Sequence, residues 1–421
     1  MRLATALPGL SFIIAATMLG SPAHGVPFTL SHSITGDDIG EIFSLSGNNV
    51  LVGTPEHADG FANVGRAHLF DVASGSLIHT FDNPSLSGPA GIARDDFFGF
   101  AVALDGNRAL IGSPGSKNDA GQAFVFDTAT GNLVHTFEDP SPQTSFPPPF
   151  ATRGGFFGSS VAIDGNVSIV GNPGHGASGP AREGETHKFF NDTGNRIAAF
   201  DPPGSFSSSS VFLKGNDLLI TSSGLRVDLI RASSGFSLQT FFDPLGRSSA
   251  TSRFGEQIEI DGNNVLIGSS GAVFQFDATT GDLLRTFTDP TVPDGNRPSG
   301  GFGKSLAVDG LTVAIGETGH VHLFDLSDGE LLQTLDAPGP ISSFGEAVAL
   351  EDDLLLVGDS FSDAIHVYTP ASGSDGTGSE GDGNDDTKVT SVPEPSALPL
   401  LAAAAFWVGL LRRRKSGTAM G

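Results

Sequence analysis

Polar and apolar positions in this chain fall into short alternating runs, and the runs recur. From Phe98 to Pro140 the sequence reads FGFAVALDGNRALIGSPGSKNDAGQAFVFDTATGNLVHTFEDP. FGFAVAL alternates as a half-buried strand does, with successive side chains on opposite faces. DGN follows, a hairpin signal because Gly and Asn tolerate the positive φ of tight turns. RALIGS and QAFVFD predict a second and a third strand. DTATG predicts another turn, in which Asp127 accepts backbone amides and Gly131 takes the left-handed place of a bulged hairpin. NLVHTF predicts a fourth strand.

The phrase returns at Phe254 as FGEQIEIDGNNVLIGSSGAVFQFDATTGDLLRTFTDP, and its opening pair returns at Phe157-Gly158, Phe302-Gly303 and Phe344-Gly345. Degenerate copies open at Ile39-Gly40 and Phe206-Ser207, which makes seven units. Four antiparallel strands at a period of about 50 residues predict an all-β fold, a seven-bladed β-propeller of four-stranded antiparallel blades over residues 26–370. A stacked solenoid is the runner-up, but its coils rarely need two tight hairpins per repeat. The last unit offers only FGEAVAL, DLLLVG and AIHVYT before Pro370. LSHSI (Leu30 to Ile34) matches LIHTF (Leu77 to Phe81) and is expected to fill the missing fourth strand, closing the ring and removing its open edges.

Links between second and third strands, and between blades, share one face. They are long in the first three units, as in TPEHADGFANVGRA (Thr54–Ala67) and NPGHGASGPAREGETHK (Asn172–Lys188), and as short as SSGA and ETGH later. A rigid scaffold with long loops on one side commonly carries a site there. The candidate binding face comprises His57, Asp59, Asp95, Asp96, Asp119, His175, Arg182 and Glu183. The other reading is solvated insertions without a role.

Composition agrees with many strands and turns: 57 Gly, 33 Phe and 16% charged residues. The formal net charge is -25, with four cations clustered at Arg412, Arg413, Arg414 and Lys415. Such a body should repel nucleic acid and anionic membrane surfaces. The absence of cysteine excludes disulfides, thiolate metal sites and a Cys nucleophile. No cofactor is expected.

Several residues invite a chemical role. His79 and His135 occupy the same place in two fourth strands, where other units hold Gln239, Arg285 and Gln333, so the place reads as an outer-strand surface position. His320 and His322 would share one strand face and could ligate zinc, but no third ligand is visible, so no metal is assigned. The recurring Asp of FDxxTG and of DGN is accounted for by turn chemistry. HExxH, GxSxG and P-loop patterns are absent, and no catalytic residue is assigned.

The ends read as addresses. Residues 1–25 have the charged start, apolar middle and small-residue cleavage region of a secretory signal peptide, cut after Ala23 or Gly25. Residues 371–391 are a flexible acidic linker rich in Gly, Ser and Asp. Residues 392–415 hold Pro393-Glu394-Pro395, an apolar stretch that predicts one hydrophobic helix from Ser396 to Leu411, and the four cations; residues 416–421 are a short tail. Sixteen helical residues would reach about 24 Å, less than the roughly 30 Å hydrocarbon core, so the helix suits a temporary span better than a single-pass anchor.

Two resemblances follow. The Phe-Gly opening followed by IGSPG (Ile111 to Gly115) resembles the FG-GAP repeat of integrin-type propellers, over roughly residues 39–368. That family places an Asp-rich calcium loop between the first two strands; here the link is only DGN, KGN or DGL, so its calcium sites are not carried over. WD-repeat and quinone-binding propellers use tryptophans, and the single Trp407 lies outside the repeats. The C-terminal triad of features is similar to the PEP-CTERM sorting signal of Gram-negative bacteria. That resemblance implies processing by an exosortase that reads Pro393-Glu394-Pro395, a transient inner-membrane span with cytoplasmic Arg412–Lys415, and delivery to the surface or a polysaccharide matrix. The expectation is therefore a non-enzymatic exported propeller that binds a glycan or protein through its long loops. The alternatives are a carbohydrate-active hydrolase or lyase on the same scaffold, whose carboxylates would meet only in space, and a purely structural matrix filler.

Overall fold

Each four-strand phrase folds into one antiparallel sheet. A computed structural model describes residues 27–59, 62–85, 95–140, 155–174, 184–200, 210–215, 218–222, 226–246, 253–292, 301–339 and 342–371. These residues form seven four-stranded sheets and one two-stranded hairpin. Six sheets are blades of four consecutive strands: blade 1 spans 42–82, blade 2 101–138, blade 3 160–200, blade 4 211–242, blade 5 258–287 and blade 6 305–336. The seventh sheet is composite. Strands Val348–Glu351, Leu354–Asp359 and Ala364–Pro370 are completed by Phe28–Thr35, which pairs antiparallel with Ala364–Pro370. The first strands touch in cyclic order, each with the next and the composite sheet with blade 1, so the ring is closed. The signal peptide, the acidic linker and the C-terminal hydrophobic helix with its sorting residues lie outside the described residues. Among the described residues no helix is long and apolar enough to cross a membrane.

The turn chemistry is as read. Asp127 Oδ1 accepts from Thr130 N and Oγ1 at 3.0 and 2.9 Å, and a bulge falls between Val125 and Phe126. Those bonds, the Thr130 hydroxyl first, hold the Asp127 carboxyl below its ordinary range.

The Phe-Gly pair builds the joints between blades. Phe98, Phe157, Phe254, Phe302 and Phe344 are no more than 1% exposed. Each lies over the middle of its own third strand, as in Phe98 on Phe124 at 5.6 Å and Phe302 on His322 at 5.9 Å between ring centres. The glycine sets the spacing. Gly158 N donates to Gly171 O at 2.9 Å within blade 3, while its carbonyl abuts Gly112 of blade 2 so closely that a Cβ on Gly112 would overlap it. Gly53 meets Gly99, and Gly358 meets Gly40, in the same way. The last of these is the contact that closes the ring.

Two expectations are corrected here. The aspartates of the first tight turn reach the following blade: Asp105 Oδ2 accepts Gly165 N, Asp309 Oδ2 accepts Asp352 N at 2.8 Å, and Glu351 Oε2, at the same place in the composite sheet, accepts Gly47 N at 3.0 Å across the closure. The fourth-strand place shared by His79, His135, Gln239, Arg285 and Gln333 is a joint and not a plain surface position. His135 Nε2 meets Asp192 O at 2.9 Å, Gln239 Nε2 donates to Thr279 O at 2.6 Å, and Arg285 donates to Ser327 O at 2.7 Å, each in the next blade's turn. His32 Nε2 meets Val72 O at 2.8 Å and repeats the clasp at the closure. His135, Gln239 and Arg285 interchange there because each carries an N–H that reaches a turn carbonyl, whereas Gln333 bonds Phe28 N and O of the closing strand and His79 Nε2 is buried without a hydrogen-bond partner.

Candidate binding face

Of the eight expected residues, five lie among the described residues, on the links of blades 1 and 2. In blade 1 the second-to-third link carries the extra hairpin Ala58–Asp59 with Ala62–Asn63, and in blade 2 it carries the helical turn Ser116–Asp119. The same link in blades 5 and 6 is a tight turn, Ser269 to Ala272 and Glu317 to His320. Asp95 Oδ1 accepts Asn63 N at 3.0 Å and holds the hairpin; Asp96 Oδ2 accepts from Asn83 Nδ2 at 3.1 Å. Asp119 takes a left-handed φ of 65°, and its carbonyl accepts Phe156 N at 3.0 Å. The His57 carbonyl accepts Gly65 N at 3.1 Å, and Asp59 lies on the hairpin strand. Asp95 is thus brought to the hairpin of His57 and Asp59, whereas Asp96 and Asp119 serve other corners. His175, Arg182 and Glu183 lie outside the described residues.

Sequence reasoning missed a second group on this face. The residue after each Phe-Gly lies just ahead of a first strand, at the inner rim. Around blade 6, the composite sheet and blade 1 these residues are Lys304, Glu346 and Glu41. Lys304 pairs with Glu346, and Ser360 Oγ donates to Glu346 Oε2 at 2.5 Å. Burial raises the Glu41 carboxyl above its ordinary range; Glu346 and Glu56 add to the rise, and Lys304 opposes it. Two exposed rings belong to the same stretch of the ring. Phe361, in the composite sheet's second-to-third link, is 62% exposed, and Phe100, the residue after Phe-Gly in blade 2, is 46% exposed. The signal that could have found this arc is the column of residues that follows Phe-Gly.

Among the described residues, one group of side chains has the makeup of a metal centre. Asp289 follows the fourth strand of blade 5, Glu317 ends the second strand of blade 6, and His322 lies mid-way along its third. One ligand atom from each lies within 4.8 Å of the others, and all three residues are buried. His322 and His320 share a face, as expected, with ring centres 6.1 Å apart, but His320 turns to Asp336 Oδ1 at 2.9 Å and stays outside the group.

Comparison with known proteins supports the architecture. Residues 89–126 match the FG-GAP repeat family. Among curated proteins none matches the chain. Raptor of Chaetomium thermophilum is similar in structure with a TM-score of 0.57 at 12% identity, covering 83% of this chain and 30% of that one. This chain therefore spans less than a third of Raptor's length. The β-propeller domain of Cps50 (Swd1) of Myceliophteria thermophila gives a TM-score of 0.56 at 11% identity, covering 82% of this chain and 99% of that one. At such identity these likenesses show the fold alone. The protein is an all-β propeller of four-stranded antiparallel blades carrying an FG-GAP repeat.

Proposed function

We propose that this chain is an exported surface or matrix protein that binds a glycan or another protein, without turning it over, through the loop face at blades 1, 2, 6 and the composite sheet. The observation that carries the reading is that this face presents exposed Phe100 and Phe361 as well as the carboxylates of Glu41, Glu56 and Glu346. Flat apolar rings beside hydrogen-bond acceptors suit sugar faces with their rims of hydroxyls. Among the described residues the opposite face consists of tight turns tied blade to blade, which leaves little to vary. Delivery is read from the C-terminal residues: an exosortase recognises Pro393-Glu394-Pro395, the apolar segment holds the chain in the inner membrane until processing, and Arg412–Lys415 fix its orientation.

The binding reading is tested with the full-length chain against a panel of acidic and neutral polysaccharides. Retention that falls at least tenfold in Phe361→Ala with an unchanged melting midpoint supports it. Release of reducing ends or unsaturated sugars would favour the hydrolase or lyase instead, and neither retention nor turnover would leave a structural filler. Delivery is tested separately by mass analysis of the mature protein. A C-terminus trimmed near Glu394 supports sorting, and an intact Arg412–Lys415 tail in a stable membrane fraction contradicts it.

A further inference from the structure

The blades meet by a repeated device. The acidic or amide residue that follows a fourth strand, in DP or NP, turns toward the second-strand end of the next blade. Between blades 2 and 3 Asp139 Oδ2 accepts from Asn172 Nδ2 at 2.9 Å. Between blades 4 and 5 Ser269 Oγ donates to Asp243 Oδ2 at 3.5 Å. Between blades 1 and 2 Asn83 donates to Asp96 and to Ser116 Oγ. Ahead of the composite sheet the preceding residue is Ala337, and Asp359 is served by the Ser342 and Ser362 hydroxyls, each at 2.8 Å, and by Ser343 N. Each of these four joints sets acceptors against donors.

The joint between blades 5 and 6 does not. Asp289 faces Glu317, a second carboxylate, and both are buried, at 6% and 4% exposure. The third member, His322, is 0% exposed. Asp289 Oδ1 takes Thr291 N and Oγ1, both at 2.7 Å. Glu317 Oε1 lies 3.2 Å from His322 Nε2, and Glu317 Oε2 has no hydrogen-bond partner. A buried carboxylate oxygen without a partner costs several kcal/mol, on the order of the desolvation penalty of a charge. An imidazole N–H supplies one proton and leaves that oxygen and the second carboxylate uncompensated.

The His322 ring is held in the manner of a ligand. Its Nδ1 lies 3.0 Å from Thr334 Oγ1, which can accept Nδ1–H and so turn the Nε2 lone pair to the carboxylates. In that tautomer the Nε2 lone pair faces Glu317 Oε1, an arrangement that a cation between them would make favourable. The joint is also wider here than elsewhere. A Cβ on Gly268 would stand 3.0 Å from Gly303 O, whereas at Gly53, Gly112 and Gly358 the equivalent atom would overlap the facing carbonyl.

We propose that the joint between blades 5 and 6 binds a divalent transition-metal ion of the zinc class through Asp289, Glu317 and His322. One imidazole nitrogen with carboxylate oxygens is a borderline donor set that suits zinc or manganese; calcium prefers six to eight oxygens. The ion would tie two blades together and neutralise a charge pair that no described cation reaches. It lies buried at the loop-face end of the joint, and its test does not depend on the binding reading.

The test uses the full-length chain, stripped with a chelator and titrated calorimetrically with zinc, manganese and calcium chlorides in turn. The comparison protein carries Glu317→Ser and His322→Phe, which copy the residues of the joint before it, Ser269 and Phe274, and so preserve a packing the protein already uses. The expected result is a single zinc equivalent per chain in the parent, binding weakened at least a hundredfold in the double variant, and a melting midpoint raised by zinc in the parent alone. A milder variant, Glu317→Gln, keeps the side-chain shape and should also lose the ion. No zinc binding by the parent, equal binding by the double variant, or tight binding of calcium alone would each overturn the proposal.

Discussion

Two joints of the same ring show how one repeat can be put to two uses. Between blades 2 and 3 everything is tight and neutralised: Gly112 and Gly158 are in backbone contact, Ala103 is tucked beneath, and Asp139 meets an amide donor. Between blades 5 and 6 the glycines stand apart, Glu259 replaces that alanine, and Asp289 meets Glu317 and His322. Glu259 pairs across the strands with Leu266, whose apolar cluster spans blades 5 and 6. Two buried carboxylates set against each other, with Glu259 on the same side of the first strand, are a departure that packing alone does not reward. The first joint is a structural seam; the second has room and charge for a ligand.

The largest expected effect breaks the seam. Gly112→Ala must displace the backbone at Gly158 and should destabilise the protein by about 3 kcal/mol or more, whereas Gly268→Ala meets a carbonyl at 3.0 Å and should cost about 1 kcal/mol. Urea unfolding midpoints of the two variants measure the contrast, and equal losses would mean that the two joints are equally close-packed. Next is the ion: zinc at 100-fold excess over its dissociation constant should stabilise the parent by about 2.7 kcal/mol, with no gain in the Glu317→Ser, His322→Phe protein.

A pH effect is expected of smaller size. Burial pushes the Glu259 carboxyl up to about 8; Lys214 opposes the shift and Asp261 adds to it. Below about 4.5 the carboxyl is protonated whether folded or not, so it costs nothing. From there to about 8 the unfolded chain releases the proton while the folded chain keeps it, and stability falls as pH rises. Glu259→Gln should therefore raise the melting midpoint by a few degrees at pH 8 and leave it unchanged at pH 4; a shift of the same size at both values would contradict this. The smallest effect belongs to the outer clasps. His135→Ala removes one partly exposed hydrogen bond to Asp192 O and should cost about 1 kcal/mol or less. A loss as large as that of Gly112→Ala would show that the clasps, not the glycines, hold the seams.

The repeat made the blades legible. Alternation, DGN and FDxxTG mark strands and turns inside one unit, where partners are a few residues apart, and the likeness of LSHSI to LIHTF located the closing strand. What stayed hidden lies between units. His135 and Asp192, or Asp289 and Glu317, belong to different repeats, and periodicity does not tell which column of one unit faces which column of the next. His135 therefore read as surface although it clasps a turn, and the DGN aspartates read as caps although they reach the following blade. His322 was singled out, but its companions were invisible because one comes from the preceding blade and the other from a neighbouring strand end. The acidic arc at Glu41 and Glu346 was missed for the same reason, since the inner rim forms only when the ring closes.

The most direct measurement of the central claim is X-ray diffraction from crystals grown with zinc, recorded above and below the zinc absorption edge. The account predicts one anomalous peak between Asp289, Glu317 and His322, absent in the Glu317→Ser, His322→Phe protein. Clear density for Glu317 hydrogen-bonded directly to His322 and Asp289, with no anomalous signal at the joint, would contradict it.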